Sequence, residues 1–317
     1  MAFEAGHPVQ QAMLEAARHA PSVHNTQPWQ LLLTEDGALE VRADRSRQLQ
    51  TLDPSGRQLV MSCGAAIDHA AVAASALGRE VTVEVLPEPS LLGRVTVSGE
   101  VAPSDETRAL ADAIGRRHTY RDRFLDEPVP ADFLDRLRDA AHETGAWLDV
   151  VSNEDRLLQL EVLLTHATEE QLHDPDYVAE LAFWTEQPAA SGFGIPAANR
   201  DPVAGAGSNV AVRDFSAGRI HDDGGADDPP RVDHPAVVIL GTDGDEVLDQ
   251  VQAGRALSRL LLTATAHGFA AQPLGQVTDT VAWRSRLSSV MALRGHPQLA
   301  LRLGRPQHDV PPTPRAS

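Results

Sequence analysis

Two short segments of this chain carry more hydrogen-bonding and charged groups than an ordinary turn needs. Ala20-Pro21-Ser22-Val23-His24-Asn25-Thr26-Gln27-Pro28-Trp29 crowds hydroxyl, amide and turn-forming residues into the passage from a helix to a strand. Such a surface is suited to hydrogen-bonding a polar ligand. A capped helix end followed by a Pro turn uses the same residue types, and on chemistry alone both readings stay open. The second segment, Arg116-Arg117-His118-Thr119-Tyr120-Arg121-Asp122-Arg123-Phe124, places four arginines within eight residues. Planar guanidinium forks beside Thr hydroxyls and backbone amides make a cradle for a phosphate. A solvated helix end, with Asp122, Asp126 and Glu127 as partners, also tolerates such cations.

Other chemistry-bearing residues read as structural. His221-Asp222-Asp223 with Asp227 and Asp228 is a solvated charge run, so no metal is assigned. Gly205-Ala206-Gly207-Ser208 does not lead from a strand into a helix, as a dinucleotide fingerprint must. His69 and His267 fall on or near helical core faces, and Cys63 reads as a small buried residue.

Composition narrows the classes further. A chain of 317 residues suggests about two domains. Acidic residues outnumber basic ones 45 to 27, a formal charge of −18 that argues against a nucleic-acid surface or a polybasic membrane anchor. All basic residues are Arg; without Lys there is no Schiff-base, P-loop or kinase-type lysine. The single Cys63 excludes a disulfide framework, a cysteine-rich zinc site and an iron–sulfur cluster. No run approaches the ~18 apolar residues of a membrane span, and residues 1–20 lack a signal pattern, so a cytoplasmic location is expected.

The elements that must position the two segments alternate between helix and strand. Helices are expected at 9–19, 56–77, 106–117, 131–143, 154–172, 176–186, 246–267 and 279–293. In the second of these Leu59, Cys63, Ala66, Ile67, Ala70, Ala74 and Leu77 recur at three- and four-residue spacing. Strands are expected at 29–34, 39–42, 80–85, 94–97, 236–240 and 299–303, giving an α+β class. The stretch 187–235 is rich in Gly, Pro, Ala and Asp and shows no period, which predicts a lid or binding loop. Within it Phe193-Gly194-Ile195-Pro196 and Val212-Arg213-Asp214-Phe215 could dock on a cleft, with Gly205–Gly207 as a hinge.

An internal repeat organises these elements. Gly64-Ala65-Ala66-Ile67-Asp68-His69-Ala70-Ala71 aligns without a gap onto Gly254-Arg255-Ala256-Leu257-Ser258-Arg259-Leu260-Leu261, an offset of 190 (64 to 254). Leu14-Glu15-Ala16-Ala17 leading to Trp29 matches Leu137-Arg138-Asp139-Ala140-Ala141 leading to Trp147. The chain therefore reads as two degenerate copies, 1–103 and 104–317, with the 187–235 insertion in the second. Copy one keeps the Pro-Ser segment, where copy two has only Glu143-Thr144-Gly145-Ala146-Trp147; copy two keeps the Arg cluster.

With the motifs in this order, the chain resembles the flavin-dependent nitroreductases. Arg117-His118-Thr119-Tyr120-Arg121 resembles their phosphate motif, and Pro21-Ser22-x-x-Asn25-x-Gln27-Pro28-Trp29 their second flavin motif. Gln272-Pro273-Leu274-Gly275 is similar to the loop under the flavin ring, and Leu301-Arg302-Leu303-Gly304-Arg305-Pro306 to the final strand. Pro-Ser first and Arg motif later is the order of the fused, Acg-type branch common in actinobacteria, an intramolecular pseudo-dimer. In the family each FMN lies between one subunit's phosphate motif and the other's Pro-Ser motif. The resemblance thus implies one FMN, held by Arg117, Thr119 and Arg121 from copy two and by Pro21, Ser22, Asn25 and Gln27 from copy one. Backbone groups of Leu274 and Gly275 would face the ring, Arg121 would lie near its N1/O2 edge, and Arg315 would supply the tail's basic residue. It also implies NAD(P)H as electron donor, a small-molecule acceptor such as a nitroaromatic or quinone, no catalytic side chain, and a monomer without nucleic-acid or membrane partners. A flavin-sequestering protein without turnover is the alternative.

Overall fold

The computed structural model describes residues 8–199, 213, 215, 233–311 and 313–316. Copy one begins with α1 (Pro8–Arg18), whose Val9, Met13, Ala16 and Ala17 face inward at helical spacing. Strands β1 (Trp29–Leu33) and β2 (Leu39–Ala43) form a hairpin closed by Gly37 at φ 86°. Helix α2 (Arg57–Ala76) follows, and a second hairpin, β3 (Arg79–Glu88) and β4 (Leu91–Glu100), completes an antiparallel sheet in the order β1-β2-β4-β3. That hairpin is longer than expected. Its outer residues are solvated and carry no buried face for the sequence pattern to reveal.

Copy two repeats the plan. Helix α3 (Asp105–Ile114), capped by Ser104, leads to the Arg segment; α4 (Ala131–His142) then runs into β5 (Trp147–Val151). Helices α5 (Glu154–His173) and α6 (Pro175–Thr185) intervene before β6 (Ala236–Thr242) and α7 (Val247–Ala266). Then come β7 (Ala270–Pro273), α8 (Val281–Val290) and β8 (His296–Gly304), giving the order β5-β6-β8-β7. The two sheets share one topology, so the fold is α+β with two fused copies. The helix expected at 106–117 stops at Ile114, freeing Arg116 and Arg117, and the one expected at 279–293 starts after Thr280, whose hydroxyl caps the Trp283 N–H. Strand β7 went unread because four residues are too few for a period.

Burial differs between the sheets. In β6, Val238 and Leu240 point into one apolar cluster and Val237 and Ile239 into another, so the second sheet is covered on both faces. The first sheet buries one face, with Val41 and Val95 against Ile67 and Ala70 of α2.

The copies meet where α2 crosses α7. A Cβ on Gly64 would clash with the Val251 carbonyl oxygen, and one on Gly254 with that of Met61. Residues 61 and 251, like 64 and 254, are 190 apart, so the contact is reciprocal, as in an isologous dimer interface. By length and composition α2 could cross a membrane, at a mean hydropathy of 1.4, but 83% of that window is buried inside the protein. It is a core helix, apolar because both copies surround it.

Candidate functional site

The Pro-Ser segment leaves α1 through a backbone that few side chains adopt. His24, Asn25 and Gln27 all have positive φ, at 45°, 55° and 48°. Non-glycine residues in this region are strained and need outside support. The Ser22 Oγ accepts the Gln27 N–H at 3.0 Å, and no described residue accepts the Ser22 hydroxyl proton. Further support comes from copy two. The Asn25 amide donates to Gly192 O at 3.0 Å and Pro314 O at 3.1 Å, and the Gln27 amide donates to Gly192 O at 2.6 Å. Gly192 can serve because it lies at φ 73° with its Cα against the Arg315–Ala316 backbone.

The Arg segment is fastened from below. Thr119 bridges Ala271 of β7, Tyr120 N–H donates to Ala271 O at 3.1 Å, and Phe124 N–H donates to buried Asp233 at 2.9 Å. Buried Arg302 of β8 donates to the carbonyls of Arg121 and Asp122 at 3.2 and 3.0 Å, with its Nε on Gln272 at 2.7 Å. The segment is therefore an extra edge on the second sheet, aimed across the copy boundary.

The two segments face each other over a cavity with two compartments. Pro21, Ser22, His24, Thr119 and Arg121 line both compartments, so the space is continuous. The smaller one is polar and adds Asn25, Arg117, Thr313 and Arg315. The larger is walled by Met61 and Ser62 of α2, Leu257 and Leu261 of α7, Pro273 and Gly275. All but two of the residues the sequence singles out thus reach one cavity. Gln27 lies beneath it, pinning Gly192 and accepting the Ala316 N–H at 3.2 Å. Leu274 is buried in the core and its N–H donates to Ala300 O at 2.8 Å, so neither its side chain nor its N–H faces the cavity; Gly275 does.

The smaller compartment is strongly cationic. Burial first, then Arg315 and Arg121, pull the Arg117 guanidinium down to about 9. Burial and Arg213 bring Arg121 to about 10, and burial brings Arg315 to about 10. All three remain charged at neutral pH, and none has a carboxylate partner among the described residues. The Nε atoms of Arg117 and Arg315 are buried without a hydrogen-bond partner. Arg315 is oriented by Asn25 Oδ1 at 2.5 Å and His19 O at 3.2 Å. Unpaired buried cations are costly, and an anion with several acceptor oxygens would satisfy them.

His24 and Gln58 line the cavity without a role assigned from sequence, whereas Arg213 and Phe215 belong to the segment expected to dock on a cleft. His24 stands at the junction of the compartments with Nδ1 unpartnered, held neutral by burial and by the charges of Arg213 and Arg121. Phe215 meets the His24 ring edge-on at 5.9 Å and lies under the Arg121 guanidinium at 4.9 Å. Arg213 is fixed by a buried ion pair with Asp279 and by the Tyr177 hydroxyl at 2.8 Å; Asp279 also accepts from Gln58 at 2.8 Å and Gln171 at 2.8 Å. Of the expected lid, Phe193 packs under Arg47, at 4.6 Å, and Ile195 lines the polar compartment. The Gly205–Gly207 hinge and the His221–Asp228 charge run lie outside the described residues.

Fold and cavity together define a fused pseudo-dimer with a cationic ligand site between its copies. Comparison with known proteins gives the family. The profile described as "Nitroreductase family" matches residues 114–305. "Putative NAD(P)H nitroreductase Rv3131" of Mycobacterium tuberculosis is 33% identical over 309 residues, covering 96% of this chain and 88% of that one. "Putative NAD(P)H nitroreductase acg" of the same organism is 32% identical over 312 residues, covering 95% and 91%. The crystal structure of a nitroreductase with bound FMN from Desulfitobacterium hafniense is 14% identical, covering 64% of this chain and 92% of that one, with a TM-score of 0.40. The chain belongs to the nitroreductase family.

Proposed function

We propose that this chain is an NAD(P)H-dependent FMN oxidoreductase, with one FMN clamped between copies whose boundary lies near residues 103 and 104. One observation carries the reading: Arg117, Arg121 and Arg315 converge, without a counter-charge among the described residues, on the same cavity as Pro21, Ser22 and Asn25 of the other copy. In this reading Arg117, Arg315 and Thr119 hold the phosphate, and Asn25 keeps Arg315 turned toward it. Ser22 donates its free hydroxyl proton to the ligand. Arg121, at the junction with the apolar compartment, sets a positive charge beside the ring. Met61, Leu257 and Leu261 exclude water from the ring's surroundings, which strengthens every polar contact there. When bound, FMN supplies two-electron chemistry from NAD(P)H to a nitroaromatic, quinone or similar acceptor. The pseudo-dimer needs no second chain, so the protein is a monomer without nucleic-acid or membrane partners, working in the cytoplasm.

Phe215 favours a second reading, flavin storage. Latched by Arg213 two residues earlier, it stands at the wall where an acceptor would approach. Anaerobic stopped-flow mixing of the FMN-loaded protein with NADPH and with NADH decides between them. Rapid bleaching with either, followed by recovery on adding menadione, is expected of the oxidoreductase. Absorbance unchanged over minutes with both donors would overturn it in favour of storage.

A further inference from the structure

Beneath the cationic compartment, at the crossing of α2 and α7, lies a polar chain with no part in the site so far. Asp68, His69 and Ser258 are fully buried. Ser258 Oγ donates to Asp68 Oδ2 at 2.7 Å, Arg259 donates to Asp68 Oδ1 at 2.9 Å, and His69 Nδ1 lies 2.8 Å from Ser258 Oγ. Burial raises the Asp68 carboxyl, but Arg259 and Ser258 outweigh it and hold the group below the usual range. Asp68 is therefore an anion and can only accept. The one Ser258 proton goes to Asp68, so the contact with His69 requires a proton on Nδ1. Burial, then Arg117, keep the imidazole neutral, down to about 3. A neutral ring with a proton on Nδ1 has a bare lone pair on Nε2. That Nε2 is buried and has no hydrogen-bond partner.

Arg117 is the complementary orphan. Its Nε is buried and unpartnered, and its guanidinium is the charge that weighs most on His69. The helices bring the two together: Val72, one turn beyond His69, packs with Ile114, three residues before Arg117. A guanidinium has five donors, more than a phosphate engages bidentately, and an imidazole lone pair suits one of the rest.

We infer that His69 is a positioning residue for the anion site: when an anion binds, its Nε2 accepts a hydrogen bond from Arg117 and fixes the guanidinium for a phosphate, while Ser258 and Asp68, together with the Ala65 carbonyl, enforce the required tautomer. This rests on the phosphate site proposed above. Residues from both copies are needed, since Asp68 and Ser258 occupy equivalent positions, 190 apart. The partner of His69 in that pairing is Arg259, which neutralises Asp68 instead of facing a cavity.

Two probes test the inference, FMN and inorganic sulfate, bound to apoprotein by calorimetry. Loss of a hydrogen bond to a charged group predicts about 10- to 100-fold weaker binding of both to His69→Leu. His69→Gln, which keeps an acceptor oxygen, should recover most of the loss, and Ser258→Ala should weaken binding with the imidazole still present. In ¹⁵N-histidine-labelled protein the His69 Nε2 resonance should move from a bare to a hydrogen-bonded position when FMN is added, a shift absent in Arg117→Met. Wild-type affinity in both His69→Leu and Ser258→Ala, or an Nε2 resonance unmoved by saturating FMN, would overturn the role of His69 and leave the phosphate site standing. A wild-type chain that binds neither probe would overturn both.

Discussion

Each copy passes from a helix to a strand that opens with Trp, and the two passages differ in what they need. Copy two does it in five residues, Glu143 to Trp147. Gly145, at φ 83°, makes the turn, and the Thr144 hydroxyl donates to Ala141 O at 2.8 Å, so the passage is satisfied within itself. Copy one takes ten residues, Ala20 to Trp29, and forces three non-glycine residues to positive φ. That conformation costs about 1 kcal/mol or more at each. Ser22 and Arg47 of the same copy hold Gln27, and the remaining supports, Gly192, Pro314 and Ala316, come from the other copy. The fold needs only the short passage. The extra residues of the long one buy a wall of the cavity, at the expense of local strain.

The comparison can be broken most directly at the arginines. Arg259→Met, on the sealed side, should leave buried Asp68 unpaired and lower stability by about 3 kcal/mol. Its FMN affinity, measured where the variant is still folded, should fall less than in Arg117→Met, because Arg259 reaches the site only through Asp68 and Ser258. Arg117→Met, on the open side, should do the reverse, with FMN binding about 100-fold weaker, or about 3 kcal/mol, and an unfolding midpoint unchanged or raised. Equal effects of the two on FMN affinity would erase the asymmetry between the copies. Stoichiometry sharpens it: FMN absorbance should saturate at one equivalent per chain, and a plateau at two would mean that the short passage also serves a site. Gly192→Ala places a Cβ against the Arg315 backbone and should weaken FMN about tenfold by unseating the tail.

Acid should act mainly through copy one. His24 and His69 are held neutral below their ordinary value, His69 down to about 3. The unfolded chain binds more protons below about 6.5, so their stability contribution is intact above that pH and falls by about 1.4 kcal/mol per unit for each histidine as pH drops toward the folded values. Asp53, at the start of α2, is raised to about 6 by burial against the N–H groups of Leu59 and Gln58. It works in the opposite sense between 3.8 and 6, losing stability as pH rises. With His118 of copy two also lowered by burial and Glu161 raised by it, the histidines outnumber the raised carboxyls and leave a net loss on acidification. Urea midpoints taken between pH 7 and 4 would show it, and a flat profile would contradict the neutral burial of the histidines. Smallest of all, Glu143→Gln removes an exposed carboxylate 4.0 Å from Arg259 and should shift stability by less than about 0.5 kcal/mol.

What the sequence makes legible is local. Helices such as α2 declare themselves by period, and Gly64 and Gly254 reveal the duplication because a helix crossing tolerates no side chain there. Arg117, Thr119 and Arg121 stand out because their types are crowded together. Gln58 carries no such signal, and Arg213 and Phe215 show in the sequence only as part of a segment able to dock on a cleft. Each is an unremarkable residue made part of the cavity by partners far along the chain, as Arg213 is by Asp279, 66 residues on. Gln27 and Leu274 show the converse: they sit in motif positions, but tertiary contacts turn the Gln27 side chain toward the tail and the Leu274 side chain into the core.

The clasp between Asn25 and Arg315 joins residues 290 positions apart. At ribosomal rates of roughly 5–20 residues per second, about 15 to 60 s separate the synthesis of its two halves. During that interval the left-handed stretch at His24, Asn25 and Gln27 has only Ser22 and Arg47 of its own copy to hold it. Copy one can therefore form its sheet around α2 early, but the cavity is among the last parts of the molecule to assemble, because contacts of such high sequence separation close late. The nascent protein is blind to its ligand until the chain has folded back over its own beginning.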